Sequence, residues 1–173
     1  MKIAIYPGSF DPIHRGHMDI AQRAAGLFDK VVVAVYAEPS KALLFSVEER
    51  VTLAQRVLAD IPNVEVRAYS GLTVALAQSL GAKTLVRGLR VISDFEREYQ
   101  MALTNQHLCP EVETICLMTR YEYAFVSASI VKEVFLAGGD VSTMVPPLVL
   151  DALGQKRDLV AGLAGESACT PRG

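Results

Sequence analysis

Five short apolar runs rich in β-branched residues punctuate this 173-residue chain: Ile3 to Tyr6, Val31 to Tyr36, Val64 to Ala68, Thr84 to Val86 and Thr114 to Met118. They are nearly continuous rather than alternating, as parallel strands buried on both faces require. Helical periodicity fills the gaps. Met18, Ala21, Ala25 and Phe28 share one face, as do Val51, Ala54, Val57 and Leu58, while Leu72 to Leu80, Phe95 to Leu108 and Ile130 to Leu136 read as further helices. Gly138-Gly139 supplies a stop after the last of these. Alternation of β and α with right-handed crossovers gives an α/β fold, a single doubly wound, Rossmann-like parallel sheet. That domain is expected over residues 1–153, with Pro146-Pro147 opening a short helix through Leu153. Residues 154–173 lose the periodic pattern to Gly, Ala, Ser and charges, and are expected to form a mobile tail.

In such sheets ligands sit outside the carboxyl ends of the strands. The chemically distinctive residues fall there. Gly8 to His17 follows the first run, Pro39-Ser40-Lys41 the second, and Ser70 to Thr73 the third. Arg87-Gly88-Leu89-Arg90 follows the fourth and Tyr121 to Ser129 the fifth. The opposite loops, such as Asp29-Lys30 and Ile61-Pro62-Asn63, are plain. This asymmetry points to a catalytic cleft on one rim.

The ten residues Gly8-Ser9-Phe10-Asp11-Pro12-Ile13-His14-Arg15-Gly16-His17 carry the strongest chemical signal. Strand, glycine-bounded turn and helix aim backbone N–H groups at an anion. The turn holds two imidazoles and a hydroxyl but no lysine, and it matches neither GxxxxGK[ST] nor GxGxxG. Such a set suits nucleotidyl transfer better than dinucleotide binding. A plain turn whose histidine caps a helix is the alternative.

Any phosphate recognition must be local, because 17 basic and 19 acidic residues leave a net charge of -2 and no field for a polyanion such as nucleic acid. The three cysteines, Cys109, Cys116 and Cys169, lack CxxC spacing and suit a reducing compartment. The chain runs straight into a strand pattern with no basic leader, and no apolar stretch approaches the roughly 20 residues of a membrane span. A cytoplasmic protein without membrane contact is expected.

Arg87 and Arg90 flank a glycine and could clamp phosphate oxygens, or could pair with Asp94, Glu96 or Glu98. Ser127 and Ser129 open a helix, where Ser127 suits an N-cap and the free N–H groups suit a phosphate. Lys41 offers a single cation beyond the second run.

Taken together, YPGSFDPIHRGH, the PSK at 39–41, FSVEER at 45–50, LVRGLR at 85–90, DFEREYQMA at 94–102 and SIVKEV with GGDVSTMVPP resemble the bacterial phosphopantetheine adenylyltransferases of the nucleotidyltransferase superfamily. The resemblance spans about residues 1–153. It implies reversible adenylyl transfer from ATP to 4'-phosphopantetheine, giving dephospho-coenzyme A and pyrophosphate. It implies that His17 stabilises the transition state and that Ser9 bridges both substrates. The ATP site would comprise Ser9, Phe10, His17, Gly88, Leu89, Arg90, Glu98 and the segment Tyr123, Ala124, Phe125, Val126, Ser127, Ala128, Ser129. Lys41 and Arg87 would hold the acceptor phosphate, with Thr73 lining the pantetheine channel. Mg²⁺ would ride mainly on ATP phosphates with no dedicated protein ligands, coenzyme A is a candidate feedback ligand, and the assembly would be a homohexamer. Two positions depart from the family pattern: Thr73 is polar where an apolar residue is expected, and Ala128 stands in place of a serine. Transfer to another phosphate acceptor, such as nicotinamide mononucleotide, and a non-catalytic nucleotide-sensing module are the competing readings.

Overall fold

The computed structural model describes the backbone of residues 1–38 and 43–167, and side chains through residue 158 except those of residues 92 and 93. Five strands, β1 (Ile3–Gly8), β2 (Lys30–Tyr36), β3 (Val64–Tyr69), β4 (Thr84–Leu89) and β5 (Glu113–Met118), form one sheet in the order β3-β2-β1-β4-β5. Every pairing is parallel. The helices are α1 (Arg15–Ala25), α2 (Val47–Val57), α3 (Thr73–Ser79), α4 (Ile92–Leu108), α5 (Ala128–Leu136) and α6 (Pro147–Ser167), with a 3₁₀ turn at Tyr121–Tyr123.

The sheet separates two apolar layers. Val31, Val33 and Val35 of β2 face the larger layer with residues of α1, α2, α5 and α6, while Val32 and Ala34 face Val74, Ala77 and Leu85. This two-sided burial is why the central strands β1 and β2 read as continuous apolar runs, whereas the edge strands β3 and β5 are half-buried or exposed along most of their length. Both β1 and β4 run further than their apolar runs suggest. Pairing continues to Gly8↔Val35 and Leu89↔Met118, so Arg87 and Gly88 are strand residues rather than loop residues.

Three local expectations change. The buried stripe of α1 is Gly16, Ile20, Ala21 and Ala24, because the helix stops at Ala25 and Phe28 lies beyond it. Helix α2 buries Arg50, which its apolar spacing did not suggest. The last helix does not end at Leu153. Gly154 sits inside α6, which continues through Gln155, Lys156 and Arg157 to Ser167. Side chains just past Gly154 dock on the domain. Lys156 reaches Glu49 of α2 at 2.8 Å and lies 5.6 Å from the Phe45 ring centre, and Arg157 lies 5.0 Å from that of Phe135. Residues 168–173, including Cys169, lie outside the described residues. The stop after α5 is as expected: Gly138, at φ +85°, donates to Phe135 O and Gly139 to Val134 O, a Schellman pair.

Truncation after Gly154 is therefore expected to destabilise the protein by about 1–2 kcal/mol, summing one surface ion pair and two cation–π contacts. Urea denaturation of the full-length and shortened chains measures it. Equal midpoints would show that these contacts contribute nothing.

Candidate active site

Strand β1 pairs with β2 as far as Gly8, but with β4 only at Ala4↔Thr84 and Ile5↔Leu85. Beyond Ile5 the two central strands separate at the point where the strand order reverses. A cleft of about 320 Å³ opens there. The carbonyl of Pro7, which loses a strand partner on that side, accepts Arg87 Nη1 at 2.5 Å.

The turn after β1 is built around Phe10, whose φ of 50° places a bulky residue in the left-handed region. Its ring is 2% exposed and packs edge-on against Tyr6 and His17, at centroid distances of 5.4 and 4.9 Å. Gly8 makes room for it, since a Cβ there would lie 3.0 Å from the Phe10 ring. Gly16 does the same for His14, whose Cε1 would be 3.1 Å from an added Cβ.

His14 caps α1. The His17 N–H donates to His14 Nδ1 at 3.3 Å, and the His14 N–H donates to His17 Nδ1 at 3.3 Å. The two rings stack with centroids 3.6 Å apart. An Nδ1 that accepts a hydrogen bond carries no proton, so each neutral ring holds its proton on Nε2. Burial drives the pKa of His14 down to about 3, with Arg90 adding to the shift. Burial also drives His17 well below its usual value, helped by His14, Arg90 and Arg87. His17 thus offers a neutral Nε2–H donor.

These shifts link pH to stability. A histidine whose folded pKa lies below the unfolded value of about 6.5 binds its proton more readily when unfolded. Its stabilisation is complete above pH 6.5 and is lost as pH falls toward the folded value, by up to about 1.4 kcal/mol per pH unit for each group. His14→Asn keeps a capping side chain but removes one titration. The wild type should therefore lose more stability than this variant between pH 7.5 and pH 5 in urea denaturation. Parallel losses would contradict the shift.

The arginines are braced by acids. Arg87 Nε and Nη2 bind both oxygens of Glu98 at 2.6 and 2.7 Å. Arg90 Nε and Nη2 bind both oxygens of Asp94 at 2.9 and 3.0 Å, and its Nη1 donates to Val126 O at 3.0 Å. Each guanidinium thereby commits three of its five N–H donors and keeps two. Pairing with Glu98 and Asp94 and facing the cleft are both true of these residues. Of the three arginines lining the cleft, only Arg97 has no carboxylate partner among the described residues.

Helix α5 completes the wall. Ser127 accepts the Ile130 N–H at 3.1 Å as its N-cap, leaving the N–H groups of Ala128 and Ser129 without intrahelical partners.

Ser9, Phe10, His17, Arg87, Gly88, Arg90, Glu98, Ser127, Ala128 and Ser129 all line this one cleft. Leu89, Tyr123, Ala124, Phe125, Val126 and Thr73 do not. Val126 contributes its carbonyl to Arg90, Phe125 is exposed, and the Thr73 hydroxyl is bonded to Tyr69 Oη at 2.9 Å. Lys41 lies outside the described residues. Sequence reasoning did not assign Tyr6, Ile20, Arg97 or Thr119 to the cleft, although all four line it. The spacing of Asp94, Arg97 and Glu98 on one face of a helix is a signal that could have found Arg97.

Comparison with known proteins fits this geometry. Residues 5–134 match the family described as cytidylyltransferase-like. A phosphopantetheine adenylyltransferase of Desulforudis audaxviator is 54% identical over 96% of this chain and 99% of its own. That of Heliobacterium modesticaldum is 52% identical over 95% of this chain and 98% of its own. Among solved structures, a Plasmodium falciparum nicotinic acid mononucleotide adenylyltransferase complexed with NaAD superimposes with a TM-score of 0.67 at 15% identity, over 89% of this chain and 95% of the other.

Proposed function

The chain belongs to the phosphopantetheine adenylyltransferase family, and from that premise we propose how this cleft moves the adenylyl group of ATP onto 4'-phosphopantetheine. The reaction is reversible, yields dephospho-coenzyme A and pyrophosphate, and is a step of coenzyme A biosynthesis. The observation that carries the proposal is the meeting of a neutral His17 donor with Arg87 and Arg90 where β1 and β4 separate.

The acceptor phosphate is already anionic, so no general base is required. One of its oxygens bonds to the α-phosphorus of ATP as the bond from that phosphorus to the bridging oxygen of the β-phosphate breaks, and that oxygen leaves on pyrophosphate. The protein's work is to align two polyanions and stabilise charge on the phosphoryl oxygens. His17 Nε2–H donates to those oxygens. Arg90, with Gly88 and the α5 N-terminus, holds the nucleotide phosphates. Arg87 holds the acceptor phosphate through its two uncommitted N–H groups, joined by Lys41. Ser9 and the backbone of Phe10 lie between the two substrates. Ala128 withholds one hydroxyl from the nucleotide, while Ser127, Ser129 and the helix N–H groups remain.

Mg²⁺ fits this site as a companion of the substrate. The carboxylates of Asp94 and Glu98 are committed to arginines, and the described residues include no cluster of three metal-binding side chains. The ion would be held by ATP phosphates and would neutralise part of their charge.

Apolar surface is exposed at Phe95, Tyr99, Leu103 and Leu108 of α4 and at Ile115 and Met118 of the edge strand β5. This surface supports self-association, which the family resemblance makes a homohexamer. Sedimentation at equilibrium giving a monomer would remove that assignment. No helix among the described residues is long and apolar enough to cross a membrane. A cytoplasmic location and feedback by coenzyme A complete the proposal on the same resemblance. Displacement of labelled ATP by coenzyme A tests the feedback ligand, and fractionation of the source cells tests the location.

The division of the cations between substrates is tested by separate KM measurements. Arg90→Ala should raise the KM for ATP, whereas Lys41→Ala and Arg87→Ala should raise that for phosphopantetheine, each by about 10-fold or more for a charge-assisted contact. Equal effects on both substrates would refute the division.

A further inference from the structure

Asp11 is 2% exposed, and the mechanism above makes no use of it. Its carboxylate accepts the N–H of Phe45 at 2.9 Å and the N–H of Leu44 at 3.0 and 3.1 Å. Lys132 Nζ closes on Oδ2 at 2.5 Å. These partners join three parts of the cleft's frame: the turn after β1, the segment entering α2, and α5. Lys132 lies four residues beyond Ala128 and so shares its helical face. Ala128 lines the cleft, but Lys132 does not, because its ammonium goes to Asp11.

Arg50 ties a second knot around the same point. Only 2% exposed, it donates to the carbonyls of Ser9 and Tyr36 at 2.8 Å and to that of Phe45 at 3.2 Å. No carboxylate bonds to it among the described residues; burial lowers its pKa, and the charges of Asp11 and Glu48 offset only part of that cost. Asp11 therefore faces two cations beneath the turn, paired directly with Lys132 and at longer range with Arg50. The peptide before Asp11 belongs to Phe10, whose ring packs 4.9 Å from that of His17. A shift of Asp11 would pass directly to the catalytic imidazole.

We propose that the buried Asp11–Lys132 pair is the positioning element that keeps Ser9, Phe10 and His17 in register with the N-terminus of α5, Lys132 acting through Asp11 rather than on a nucleotide phosphate. Removing the ammonium takes from a buried carboxylate its one direct ion-pair partner among the described residues, and the turn must move to rehydrate it. Displacements of about 1 Å at a reacting centre cost about 10²-fold in rate. The inference rests on the adenylyltransferase reading. Turnover by the wild type tests that reading, and the variants compared with it test the pair.

The experiment is a double-mutant cycle on Lys132→Met and Asp11→Asn, read as kcat and as the ATP dissociation constant, well below each variant's Tm. Each single change should lower kcat by about 10²-fold with ATP binding nearly unchanged. The double variant should be no worse than either, as expected of residues that act as one unit. Lys132→Arg should restore most of the rate. Multiplied losses in the double variant, or ATP binding weakened by Lys132→Met in step with kcat, would place Lys132 on the nucleotide and overturn the proposal. A lowered Tm with unchanged kcat would overturn it too, leaving the pair a purely structural one. If Lys132→Met does not fold, Lys132→Gln, whose amide can still donate to Asp11, carries the same test with a smaller loss in kcat.

Discussion

Replacing His17 with alanine should lower kcat by about 10²–10³ while leaving the ATP dissociation constant nearly unchanged, the mark of a donor used mainly in the transition state. The structure adds a sharper expectation. Because Nδ1 of His17 accepts the His14 N–H and burial keeps the ring uncharged, the group that His17 presents at the cleft is a neutral Nε2–H. His17→Gln, which offers a neutral N–H, should retain more activity than His17→Ala. The wild-type kcat/KM should show no loss attributable to His17 deprotonation as pH rises through 6.5, because the ring is already neutral there. A kcat that falls in step with an imidazolium titrating near neutrality, or Gln and Ala variants of equal rate, would mean that a charged histidine is required.

The second large effect concerns the brace between β4 and α4. Arg87→Met removes the cation that holds Glu98, whose side chain is 11% exposed, and leaves that carboxylate without its partner. Breaking a buried pair in this way costs about 3–5 kcal/mol, reduced here because the Arg87 side chain is 32% exposed. Adding Glu98→Gln should recover most of the stability, since the glutamine bears no charge. It should not recover phosphopantetheine affinity, since the cation proposed to hold the acceptor phosphate is still absent. Thermal denaturation and acceptor KM on the single and double variants separate the two roles. Recovery of both together would show that Arg87 serves the fold alone.

Strands β1 and β2 were legible because they are buried on both faces and so carry unbroken apolar runs; the edge strands β3 and β5 are half-buried or exposed, and showed only as short stretches rich in β-branched residues. The cleft was legible because Gly8, His17, Arg87 and Ser127 all fall on one rim of the sheet those runs define. Less visible were the contacts that brace it. Arg90 with Asp94 is a four-residue spacing on or near a helix and was among the pairings considered for that arginine. Arg87 with Glu98 joins a strand to the next helix, and Asp11 with Lys132 spans 121 residues, distances over which no local pattern speaks. Arg50 escaped notice because its partners are carbonyls, which any residue supplies. The end of α6 was misjudged because Gly154 and the charges after it resemble a frayed terminus, whereas Lys156 and Arg157 use their charged ends on Glu49 and two aromatic rings.

Fold alone leaves the acceptor open, because the superimposable Plasmodium enzyme is a nicotinic acid mononucleotide adenylyltransferase. The relatives above 50% identity point to phosphopantetheine. The decisive measurement offers the protein ATP and Mg²⁺ with equal concentrations of 4'-phosphopantetheine, nicotinamide mononucleotide and nicotinic acid mononucleotide, and identifies the adenylylated products by mass. Dephospho-coenzyme A should dominate, formed in equal amount with pyrophosphate and reduced about 10²–10³-fold by His17→Ala. A dinucleotide as the main product, or pyrophosphate release indifferent to the loss of His17, would contradict the assignment of this cleft.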